Sequence, residues 1–169
     1  DAFTLLRNAF SGSGYDIANA QNNTPILYQL ENNTPVVASI DFNPSFKDQL
    51  YFVHLNKKQS SREGIARYKE NRTSIENESK RISEISIELT KVKTLQIFEE
   101  LIAEHEQLIS RIVKLKPIKE ELFSDYFGAI KSLGAWGGDF ILATGDESTP
   151  SYFKEKGYDT ILSYSDMVL

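Results

Sequence analysis

The chain has 169 residues, 24 acidic against 19 basic side chains, a formal net charge of -5 and no cysteine. Without thiols it can form neither disulfides nor thiolate zinc sites, and the acidic balance speaks against nucleic acid, which is gripped by basic surfaces. Its 40% hydrophobic and 11% aromatic content mark a folded domain rather than a disordered one. No apolar run approaches the ~20 residues that cross a bilayer and no secretory leader is visible, so a cytoplasmic protein with no membrane contact is expected.

In chain order, residues 2–9 read as an amphipathic helix already under way at Asp1, so an N-terminal part of the protein is expected ahead of it. Ser11-Gly12-Ser13-Gly14 breaks that helix, because paired glycines let the backbone turn sharply. Two near-identical strings, Asn22-Asn23-Thr24-Pro25 and Asn32-Asn33-Thr34-Pro35, each precede a β-prone run. Residues 26–30 and 36–40 are predicted to pair as a hairpin that turns through Glu31 to Thr34. Residues 50–55 form a further strand. Ser60 to Glu63 and Thr73 to Glu76 have capping-box spacing, the first opening a short helix through Arg67 and Tyr68.

Apolar residues then recur at helical spacing from Ile75 to Leu115. Two antiparallel helices are predicted, bent near Thr90 to Thr94, with Pro117 ending the second. Residues 126–133 and 139–144 flank a glycine-rich turn. Thr149-Pro150 resembles an N-cap followed by proline at N1, Gly157 stops that helix, and residues 160–164 form the last strand. All 169 residues are read as one α+β domain, a mainly antiparallel sheet with helices on one face.

Two segments carry candidate chemistry. In Gly12-Ser13-Gly14-Tyr15-Asp16 a carboxylate follows a glycine-framed turn, where it can orient a hydroxyl or take its proton; a plain aspartate cap is the alternative. In Gly134-Ala135-Trp136-Gly137-Gly138-Asp139 the glycines remove side chains that would hold a ligand away, and successive amides can form an anion-binding concavity. A hairpin turn that uses positive φ is the alternative there. Taken together, the pair resembles the GHMP kinases, of which galactokinase, homoserine kinase, mevalonate kinase and phosphomevalonate kinase are members. Residues 11–18 are similar to the family's Gly-Ser-Gly-x-Asp segment, and residues 131–139 to its third motif, Lys-Leu-x-Gly-Ala-Gly-Gly-Gly. The string Gly-Tyr-Asp-Ile-Ala at 14–18 is the signature of one bacterial subgroup.

The resemblance implies a ferredoxin-like C-terminal half of an ATP- and Mg2+-dependent kinase acting on a small-molecule hydroxyl, with mevalonate or a related isoprenoid precursor as the leading acceptor. It implies that Asp16 is the catalytic carboxylate, and that Ser13, Gly14, Tyr15 and Lys131 face the substrate. It also implies that Gly134, Ala135, Trp136, Gly137, Gly138 and Asp139 lie by the phosphates. Trp136 stands where the family has glycine, and Ser11 where phosphomevalonate kinases often carry lysine. The family's ATP loop, Pro-x-x-x-Gly-x-x-Ser-Ser-Ala, is not in these residues, so ATP and Mg2+ are assigned mainly to an N-terminal half of the same protein, and this half alone is expected to be inactive. No metal site is assigned within the chain. His54 and His105 are read as packing or surface residues, and Glu99, Glu100, Glu104 and Glu106 as a solvated helix face. Lys114, Lys116 and Lys119 are read as a helix end. A non-catalytic ligand-binding module and a homodimer built on the helical pair are the alternatives.

Overall fold

The structure, a computed structural model, describes residues 13–57, 66, 68–69, 75–134, 136 and 139–168. The chain divides into two compact units, residues 1–43 with 169 and residues 44–168, where the sequence reading treats 1–169 as one domain. The opening helix and the Ser60–Glu63 cap fall outside the described residues; of the short helix that follows, Ala66, Tyr68 and Lys69 are helical.

In the first unit, α1 (Tyr15–Ala20) is followed by β1 (Ile26–Glu31) and β2 (Thr34–Ser39). The two strands pair antiparallel from Ile26↔Ser39 to Glu31↔Thr34. The expected hairpin is therefore present, and its turn is specified locally. Asn32 and Asn33 have φ of 50° and 62°; a two-residue hairpin turn of type I′ needs both central residues in this region, and asparagine tolerates it better than other side-chain-bearing residues.

The second unit is an α+β layer structure. Its sheet runs β4 (Ile130–Ser132), β5 (Phe140–Thr144), β3 (Leu50–His54), β6 (Ile161–Ser163), with every neighbouring pair antiparallel. In chain order the unit is a strand, a helical excursion, two strands joined as a hairpin, a helix and a strand. The helices are α2 (Glu76–Leu89), α3 (Leu95–Val113), α4 (Ile118–Leu122), α5 (Thr149–Glu155) and α6 (Tyr164–Met167). Side chains alternate across a strand, so Val53, Ile130, Ile141 and Ala143 share one face; there they pack with Ile118 of α4 and Phe153 of α5. No helix among the described residues is long and apolar enough to cross a membrane.

The apolar stripe folds as two helices, as its spacing predicts. Thr94 caps α3 through the Ile97 amide at 3.4 Å. Ile85, Leu101 and Leu108 bury one another inside the pair, joined by Ile82 and Leu89. Ile85 is fully buried, so charges placed at Ile82 or Ile85 would break the helical hairpin itself rather than an outer dimer face. Arg81 staples the pair outside this seam, its guanidinium forked on Glu104 at 2.7 Å for both bonds and reaching Glu88 at 2.7 Å.

Several boundaries differ from the expectation. α2 starts at Glu76 behind Ile75, without a side-chain cap from Ile75; Thr73 and Ser74 of the expected capping pattern lie outside the described residues. α3 ends at Val113, four residues before Pro117, and Lys114 behind it adopts φ 53° and ψ 43°; Pro117 instead precedes α4. The reading of Lys114 as helix end holds, whereas Lys119 lies in α4 and donates to the Gly128 carbonyl at 2.6 Å. Ser148, not Thr149, precedes the first residue of α5. Residues 126–129 are not strand, because Tyr126 is drawn inward to the Thr144 carbonyl at 2.8 Å and to Thr149 Oγ1 at 2.9 Å.

Candidate functional site

Asp16 sits in the first turn of α1 and is exposed. A carboxylate there complements the positive end of the helix. Gly14 precedes the helix at φ 86°, the left-handed conformation that glycine adopts without strain, and is buried. Ser13 is fixed through its carbonyl, which accepts from the Tyr28 hydroxyl of β1 at 2.5 Å. Tyr15 is half exposed; burial of part of the ring, and then the charge and hydrogen bond of the Asp16 carboxylate, raise its phenol above the ordinary value. Ser13, Gly14, Tyr15 and Asp16 thus form one local group in the first unit.

The glycine-rich segment belongs to the second unit. It joins β4 to β5, closed at its base by the Leu133 amide on the Phe140 carbonyl at 3.0 Å. The Asp139 carbonyl accepts from the Leu55 amide at 2.8 Å, so the far end of the loop is tied to the end of β3. Gly134 has φ 71°, and a Cβ built on it meets no atom within 4 Å. Trp136 is also left-handed, at φ 54°, and half-buried. Ala135, Gly137 and Gly138 lie outside the described residues. Among the described residues no group of three or more His, Asp or Glu could hold a metal.

Lys131 turns inward. Its Nζ lies 3.7 Å from Glu106 Oε1, 3.4 Å from His105 Nδ1 and 3.3 Å from the Ser132 carbonyl, and its side chain is 19% exposed. Glu106 is 3% exposed and accepts from Ser132 Oγ at 3.0 Å, while its Oε1 has no hydrogen-bond partner. Burial raises the Glu106 carboxyl and lowers the Lys131 ammonium, each opposed by the charge of the other. His105 is pushed down to about 4, first by burial and then by the Lys131 charge.

These contacts correct the reading of the acidic residues on α3 as a solvated face. Glu106 is buried, Glu104 is held by Arg81, and Glu99 accepts from the buried Thr144 hydroxyl at 2.5 Å; only Glu100 remains exposed. A signal for Glu106 was available in the sequence, since it stands four residues after Ile102, on the apolar stripe itself. Comparison of the chain with family models, with curated proteins and with solved structures gives no match.

Proposed function

We propose that this chain is the C-terminal, substrate-side half of an ATP-dependent kinase of the GHMP class that phosphorylates a hydroxyl of a small metabolite, with mevalonate or a close isoprenoid precursor as the first acceptor to try. The observation that carries the reading is the topology of the second unit. A strand, helices, a two-strand hairpin, a helix and a strand, in sheet order β4-β5-β3-β6, is an α+β order of the kind that the split β-α-β of ferredoxin-like domains would give, which supports the reading. The glycine-rich segment forms the tip of its hairpin. Fold alone does not give function; the support comes from this topology together with Gly134, where a built Cβ meets no atom within 4 Å, and Asp16 two residues after a left-handed glycine.

In this reading Asp16 orients the acceptor hydroxyl or takes its proton, Ser13, Gly14 and Tyr15 shape the acceptor side, and the residue 134–139 loop meets the phosphoryl group. ATP and Mg2+ are bound mainly by the N-terminal half, and Mg2+ neutralises charge on the transferring phosphoryl group. The test is Asp16→Ala in the full-length protein, followed by ADP release with mevalonate and by binding of adenylyl imidodiphosphate with Mg2+. Nucleotide binding should persist while turnover falls ~100-fold or more, the scale of a lost acid–base group. Near-normal turnover would remove Asp16 from the chemistry.

A further inference from the structure

β4 has three residues and stands at the edge of its sheet, paired with β5 alone. Such a strand is weakly held, yet it delivers the chain into the glycine-rich loop. Two residues beyond it, a Cβ built on Gly134 meets no atom within 4 Å, so no packed side chain fixes the start of the loop there. Successive side chains of a strand face opposite sides. Ser132 faces α3, and its hydroxyl meets Glu106 Oε2 at 3.0 Å. Lys131 starts on the other face, and its ammonium reaches back to within 3.7 Å of Glu106 Oε1 and 3.4 Å of His105 on the same helix.

The energetics argue that this cluster is not there for stability. Burying a carboxylate and an ammonium costs several kcal/mol per ion, and apolar residues of similar volume often serve a core as well or better. Glu106 Oε1 even lacks a hydrogen bond. What the pair supplies is a fixed position: it ties the last strand residues before the loop to a 19-residue helix, while the Leu55 amide holds the loop's far end at Asp139.

We propose that Lys131 and Glu106 are positioning residues, a buried ion pair that fastens β4 to α3 and so sets where the glycine-rich loop begins. This replaces a direct substrate contact for Lys131. What the loop grips rests on the kinase reading; the fastening does not.

The experiment compares the full-length wild type with Glu106→Leu/Lys131→Met, which removes both charges, and with Lys131→Arg, which keeps the pair. Hydrogen exchange over residues 133–139, thermal melting and binding of adenylyl imidodiphosphate with Mg2+ are measured for each. The double variant should melt close to wild type, with exchange in the loop faster by tenfold or more and exchange in the β1–β2 hairpin unchanged. Lys131→Arg should restore most of the loop's protection, and nucleotide affinity should follow loop protection across the three proteins. Wild-type loop exchange in the double variant would overturn the proposal. So would a double variant that does not fold, because the pair would then be a stability element. A wild type that binds no nucleotide would end the kinase reading and leave the fastening to be judged on exchange alone.

Discussion

Gly128 and Gly134 flank β4, and alanine at the two positions should have opposite consequences. A Cβ on Gly128 would stand 1.8 Å from the Thr144 carbonyl oxygen and 2.9 Å from its carbon. Both are backbone atoms, so the end of β5 must move. Three hydrogen bonds depend on that juncture: the Thr144 amide on the Ala129 carbonyl at 3.0 Å, the Ala129 amide on Thr144 Oγ1 at 2.8 Å, and the Tyr126 hydroxyl on the Thr144 carbonyl at 2.8 Å. Losing two of them at ~1 kcal/mol each, with ~1–3 kcal/mol for overpacking, gives ~3–5 kcal/mol. Against a whole-domain stability of ~5–15 kcal/mol the variant folds but is marginal. Gly134 has φ 71° and free space around a Cβ, so Gly134→Ala costs only the ~1–2 kcal/mol of a left-handed alanine. Urea unfolding measures both. At a slope of ~2 kcal/mol per molar, the Gly128→Ala midpoint should fall by ~2 M and the Gly134→Ala midpoint by less than ~1 M. On the kinase proposal the functional order should invert: Gly134→Ala should weaken nucleotide binding by the full-length protein tenfold or more, because the new methyl would meet the phosphate. Equal midpoints for the two variants would refute the steric reasoning.

Asn33→Gly should stabilise the protein by roughly 0.5–1 kcal/mol, since glycine takes φ 62° without strain, read by thermal melting; destabilisation would mean that the Asn33 side chain matters more than its backbone. Arg81→Met should lower the melting temperature at low salt and approach wild type in 1 M salt, where screening acts over ~3 Å; a salt-independent loss would assign the effect to packing. His105 titrates near 6.5 when unfolded and about 4 when folded, so the unfolded chain binds the extra proton first as pH falls. Its contribution is therefore a loss of stability that begins below 6.5 and is complete below about 4, of order ~1–2 kcal/mol after allowance for partial solvent access. Burial of Glu106 acts in the opposite direction, so the term must be isolated as the difference between wild type and His105→Gln. The gap between them should change between pH 7 and pH 4.5, and parallel curves would show that His105 is not depressed.

What the sequence revealed was local or periodic. The hairpin was legible because Asn32-Asn33 encodes its own turn, and the helical pair because a stripe of aliphatic residues at spacing three and four leaves one way to bury them. Ends and exceptions were set by contacts distant in sequence. Nothing near Tyr126 says that its hydroxyl will seek Thr144, eighteen residues later, and so deny residues 126–129 a strand. Lys114 ends α3 by adopting a left-handed conformation that its side chain does not announce, while the nearby proline drew the boundary too late. Glu106 stands on the apolar stripe among other glutamates of α3, and its partner Ser132, 26 residues further along the chain, meets it directly in space. Ser163 and Asp166 form a full capping box on α6, a local signal carried by their spacing. The candidate site was legible as two motifs; the inward turn of Lys131 was not, because it depends on β4 being an edge strand.

The central claim is that Asp16 serves a hydroxyl that receives a phosphoryl group. ADP release by the full-length protein with ATP, Mg2+ and mevalonate, compared between wild type and Asp16→Asn, tests it most directly. The kinase account predicts mevalonate-dependent release by the wild type that falls ~100-fold or more in the variant, while adenylyl imidodiphosphate still binds. Equal release by the two proteins would contradict it.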